Sequence, residues 1–135
     1  MQITTKNIKA FLPCLLSCMA IMAASCHQES LEDKAARDAR EYTRKYCPTP
    51  TINYTRTDSV TFDRTGHVYT YYCTFSDVMD DEEIISRNKL KITEMLAASI
   101  RENTNMKPYI QAGFRFRYVC HSDKDPKAVL LEVTF

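Results

Sequence analysis

Val68-Tyr69-Thr70-Tyr71-Tyr72-Cys73-Thr74-Phe75 and Phe114-Arg115-Phe116-Arg117-Tyr118-Val119-Cys120 are the stretches that decide the fold. In both, one parity is aromatic or sulfur-bearing and the other largely polar or charged, the period-two signature of a strand with one buried face. Each run has a neighbour to pair with. Upstream, Val60 and Phe62 alternate with Ser59, Thr61 and Asp63, and Asp63-Arg64-Thr65-Gly66 supplies a turn in which Gly66 is placed to take a positive φ. Ile52 and Tyr54 are candidates to extend that first strand backwards. Downstream, Ser122-Asp123-Lys124-Asp125-Pro126 turns the chain, and Val129, Leu131, Val133 and Phe135 supply the apolar face of a last strand.

Two helices are expected around these hairpins. Ser30 with Asp33 makes a capping pattern, after which Leu31, Ala35, Ala39, Tyr42 and Tyr46 fall on one stripe until Pro48 and Pro50 stop the helix. A longer helix begins near Asp80, where Asp80-Asp81-Glu82-Glu83 sets four acids against the positive end of its dipole. Ile84, Ile85, Ile92, Met95, Leu96 and Ile100 share one side of it, and Pro108 enforces its end. The order α-β-β-α-β-β predicts an α+β two-layer sandwich, with a four-stranded antiparallel sheet and both helices on one face.

The residues that carry chemistry elsewhere are sparse. His27, His67, His121, Cys47, Cys73 and Cys120 show no Cys-x-x-Cys or His-x-x-x-His spacing, so no metal or other cofactor is expected. Only two glycines, Gly66 and Gly113, leave no phosphate-cradling loop. Nothing resembles a nucleophile elbow, and clustered acids are explained by helix capping, so an enzyme is not expected. Cys73 and Cys120 share the inward parity of their strands and are expected to be buried, unpaired thiols, because the hairpin order gives no reason for those strands to be neighbours. Cys47, at a helix end, is expected to react first with a thiol reagent.

If helices cover the face carrying Phe116, Tyr118 and Val133, the other face shows Val68, Thr70, Tyr72, Thr74, Arg115, Arg117, Val119, His121, Leu130, Glu132 and Thr134. Tyr and Arg are enriched where proteins bind partners. Tyr72, Arg115, Arg117 and His121 are therefore the candidate partner-binding residues, although an ordinary solvated sheet face presents the same residue types.

The N-terminus fixes the setting. Lys6 and Lys9 precede an apolar run from Ala10 to Ser25, and the small residues Ala23-Ala24-Ser25 are followed by Cys26. This order resembles the lipobox of bacterial lipoproteins. Leu15-Leu16-Ser17-Cys18 has the better leucine, but cleavage there leaves an h-region of about eight residues and a greasy new terminus, which favours Cys26. The resemblance covers only the first 26 residues or so, and it implies a signal peptide over 1–25, lipidation of Cys26, a tether over 26–29 and a single domain over 30–135. It also implies a lipid anchor in the outer membrane, facing the periplasm or the exterior. Losing Lys6 and Lys9 with the signal turns a formal charge of +1 into about −1, which gives no electrostatic reason to expect nucleic acid. The expected function is a non-catalytic protein-binding or accessory module of the envelope. The alternatives are an immunity-type inhibitor of a toxin or hydrolase, and a small-ligand carrier or enzyme, which requires a pocket with convergent polar groups.

Overall fold

Ser30 opens the first helix: its Oγ accepts the Asp33 N–H at 3.0 Å, and α1 runs over Leu31–Tyr46. The structure, a computed structural model, describes residues 28–135. The expected signal segment over 1–25 and Cys26 lie outside the described residues. The inner side of α1 is Ala35, Ala36 and Ala39, all buried, and these small residues let the helix lie close to the sheet. The Tyr69 hydroxyl reaches its backbone and donates to Ala35 O at 2.7 Å.

Four strands follow the expected alternation: β1 (Thr55–Asp63), β2 (Val68–Phe75), β3 (Arg115–Ser122) and β4 (Val129–Thr134). They form one sheet in the order β1-β2-β3-β4. The two hairpins are antiparallel as expected, but β2 and β3 pair in parallel, so the sheet is mixed and not purely antiparallel. The reason is α2 (Glu82–Glu102). At about 1.5 Å per residue its 21 residues span about 31 Å, enough to carry the chain back along the whole of β2 before β3 begins. A strand, a returning helix and a second strand in one sheet make a parallel pair.

Both helices lie on one side, α1 over β1 and α2 over β4. Val60, Phe62, Tyr69, Tyr71, Cys73, Phe116, Tyr118, Cys120 and Leu131 face them. The core is largely aromatic: Phe62 stacks on Phe114, Phe114 on Tyr109, and Tyr69 on Phe116. From α2, Ile85, Ile92 and Ile100 are buried, whereas Ile84 and Met95 of the expected stripe are exposed. Among the described residues no helix is long and apolar enough to cross a membrane.

Local chemistry corrects several expectations. Asp81, one residue from the expected start near Asp80, caps α2, accepting from Glu83 N and Ile84 N at 2.9 and 3.0 Å. Asp80 is buried against the β3–β4 turn and accepts the Lys124 N–H at 2.9 Å. Hydrogen bonding from Ser122 holds its carboxyl below the ordinary range, with Lys124 adding to the effect. Pro108 does not merely end a helix; it sits in the first turn of a short third one, α3 (Lys107–Gln111), where its missing N–H costs nothing. Ile52 and Tyr54 do not extend β1, because Asn53 and Tyr54 have φ of 49° and 61° and turn the chain. In the β1–β2 turn the left-handed residue is His67, at φ 51°. Gly66 is required for a different reason: a Cβ there would lie 2.5 Å from the Asp63 carboxylate. That carboxylate accepts the Thr65 and Gly66 N–H groups at 3.0 Å each.

Candidate functional site

The side of the sheet without helices is built by register. Its cross-strand rows are Asp63–Val68–Arg115, then Thr61–Thr70–Arg117–Thr134, then Ser59–Tyr72–Val119–Glu132, then Arg56–Thr74–His121–Val129. The four candidate residues therefore share one face, on the two central strands, and the parallel pairing brings Tyr72 within one row of both Arg117 and His121. A bulge between Cys120 and His121 makes one change to the expected face. It places Val129 opposite His121 and turns Leu130 against the core, the reverse of the simple alternation.

This face is not uniformly solvated. Thr70, Thr74 and Val119 are buried, and Tyr72, Arg117 and His121 are half-buried. At one end Asp58, the extra residue of a bulge in β1, is gripped by Arg56 Nε at 2.7 Å and by the Thr74 hydroxyl at 2.6 Å. At the other end Arg115 is exposed and, among the described residues, has no ion pair. Between them Arg117 reaches Glu132 at 3.7 Å, a partly exposed pair worth little in stability. Two atoms stand out: Arg117 Nε and His121 Nδ1 are buried and have no hydrogen-bond partner. A buried donor left without an acceptor costs about 1–3 kcal/mol.

A second concavity was not anticipated from the sequence. Because α1 and α2 sit over opposite edges, a groove of about 500 Å³ remains between α1 and the segment joining α2 to α3, floored by Val60, Tyr69 and Tyr71. Tyr42 and Tyr46, which the helical stripe assigned to the core, are on its wall and are exposed. At one end Lys34, Asp38 and Tyr109 form a closed triangle: Lys34 Nζ to Asp38 at 2.6 Å, Lys34 Nζ to the Tyr109 hydroxyl at 3.1 Å, and that hydroxyl to Asp38 at 2.8 Å. Burial alone would raise the Asp38 carboxyl, but hydrogen bonds from Lys34 and Tyr109 outweigh it and hold it below its ordinary value. Burial and then Asp38 push Tyr109 up to about 12. The Tyr71 hydroxyl, also pushed up by burial, has only the soft Met106 Sδ at 3.7 Å. The sequence signal for this groove was the change of the α1 stripe from alanine to tyrosine.

Among the described residues no three His, Cys, Asp or Glu side chains converge as metal ligands. Cys47 is half-buried, while Cys73 and Cys120 are buried and adjacent, so the expectation that their strands are apart is wrong.

Comparison with known proteins supports the fold. No curated protein matches the chain. A crystal structure of a Pseudomonas aeruginosa protein inferred to be secreted is similar, with a TM-score of 0.60 over 78% of this chain and 93% of that one, at 14% identity. At that identity the likeness is one of fold alone. A family model matches residues 30–131, nearly the whole of the described domain, and the chain belongs to that family, the domain of unknown function DUF8479.

Proposed function

We propose that this protein is a non-catalytic binding module of the bacterial envelope, tethered to the outer membrane through a lipid on Cys26, that docks a protein partner on the helix-free face of its sheet. The observation that carries the reading is the exposed Arg115, which has no ion pair among the described residues, on the same face as the half-buried Tyr72, Arg117 and His121. An acceptor-rich surface, carboxylates or exposed carbonyls, satisfies the guanidinium groups, and Tyr72 adds a rigid aromatic contact. The test is affinity capture with Arg115→Ala/Arg117→Ala beside Arg87→Ala/Leu90→Ala on the exposed side of α2. Capture falls at least tenfold for the first variant and is unchanged for the second. The opposite ranking removes the face from the proposal. Anchoring is tested separately: Cys26→Ser moves the protein from the detergent phase to the aqueous phase, and wild type already in the aqueous phase at its processed mass contradicts it.

The groove supports one second reading, a small-ligand carrier, since Tyr42, Tyr46 and Tyr71 beside the Lys34–Asp38 pair are aromatic surface with convergent polar groups. It differs from the first in a simple respect. A ligand in the groove raises Tm and is lost on Tyr71→Ala, whereas a partner on the open face is indifferent to that change.

A further inference from the structure

Cys73 and Cys120 stand side by side in the centre of the sheet. They are in-register partners on β2 and β3, both face the helices, and their exposures are 1% and 0%. Neighbouring strands lie about 4.8 Å apart, inside the range of about 4.4–6.8 Å that disulfides span between Cα atoms. Both are thiols in the structure. Their sulfurs interact: the Cys120 thiol, and after it Thr57, whose Oγ1 is 3.8 Å from Cys73 Sγ, favour the Cys73 thiolate over the opposing effect of burial. The same contact and burial push Cys120 the other way.

We propose that Cys73 and Cys120 are a disulfide-forming site, oxidised during folding by exchange with a thiol oxidant of the disulfide class. The thiolate of one of the two cysteines attacks a sulfur of the donor disulfide, forming a mixed disulfide and releasing one donor thiolate. The thiolate of the other then attacks the cysteine sulfur of that mixed disulfide, forming the 73–120 bond and releasing the second donor thiolate. The two cysteines lose two protons and two electrons, and the donor is reduced to two thiols. Complete burial of both sulfurs after folding confines the exchange to the open chain. The bridge closes the loop that contains α2 and so locks the β2-α2-β3 unit, the feature that makes the sheet mixed. Bridge formation is independent of the docking face, and export matters to it only for the supply of oxidant in the cell.

The test is refolding of the reduced, denatured full-length chain in detergent with a glutathione redox buffer, trapping with N-ethylmaleimide and non-reducing peptide mapping. The expected product is a 73–120 cystine with Cys47 alkylated, and a Tm higher by about 10 °C or more than that of the chain refolded under reduction. A folded product in which Cys73 and Cys120 are both recovered as thiols overturns the proposal, as does a main cystine that contains Cys47. Because truncating either buried cysteine risks the fold, the supporting variant is Cys47→Ala, which must still form the 73–120 bond. Mapping the protein isolated from cells separates the two readings: a bond formed with glutathione but absent from the cellular protein supports the site and counts against export.

Discussion

Alternate residues of the same four strands make two faces with opposite chemistry. On the helix side, Tyr69, Phe116 and Phe62 pack ring on ring, and the buried tyrosine hydroxyls find partners in a helix carbonyl, in Asp38 or beside Ser99. On the open side, short residues such as Thr70 and Thr74 are buried among longer polar ones, and two nitrogens are buried without partners. Apart from Tyr71, whose hydroxyl meets only the Met106 sulfur, the first face is satisfied, and the second is not. Stability therefore resides in one set of alternate positions, and the proposed docking residues in the other.

Cutting into the helix side puts that division under the greatest strain. Phe116→Ala removes a buried ring from the centre of the stack and should cost about 3–5 kcal/mol in denaturant unfolding. A cost no larger than that of an open-face change would mean the two faces do not differ as described. Next comes Tyr109→Phe, which takes the donor from Asp38 and the acceptor from Lys34 and should cost roughly 1–2 kcal/mol.

The same hydroxyl sets a pH limit. Tyr109 and Tyr118 are both pushed up to about 12, chiefly by burial, from an ordinary value of 10.0. Their neutral forms are favoured by folding, so this contribution is complete below pH 10 and is lost as pH rises toward 12. Unfolding curves recorded with tyrosinate absorbance should show stability falling in that window, and Tyr109→Phe should flatten the fall. A smaller effect is expected at the turn: Gly66→Ala drives the Asp63 carboxylate off two N–H groups and should cost about 1 kcal/mol. Smallest in stability is Arg115→Ala, an exposed change expected to stay within ~0.5 kcal/mol, although combined with Arg117→Ala it should weaken docking on the open face at least tenfold.

Much of this division was legible in the sequence. Alternation in Val68–Phe75 and Phe114–Cys120 placed Tyr72, Arg115, Arg117 and His121 together on the helix-free face, and Ser30 marked the start of α1. What alternation does not carry is direction. Parity assigns a residue to a face but is blind to whether the next strand runs parallel, and the parallel β2–β3 pair came from the return length of α2. That one connection also set Cys73 beside Cys120, although a strand-helix-strand order was reason enough to expect neighbours. Bulges were equally silent: one residue inserted near His121 exchanged the roles of Val129 and Leu130. The groove escaped because a helical stripe reports which residues face inward and not whether a second helix arrives to cover them. Ala35 and Ala39 are covered by the sheet, but Tyr46 is left open.

Docking of a protein partner on the open face can be checked in place by setting a photo-crosslinking residue singly at Tyr72, at Tyr46 in the groove wall and at Leu90 on the exposed side of α2, and irradiating intact cells. Position 72 should give a discrete, higher-mass adduct that disappears in the Arg115→Ala/Arg117→Ala background, and positions 46 and 90 should give none. An adduct from position 90 or 46 with none from position 72 would refute docking on this face.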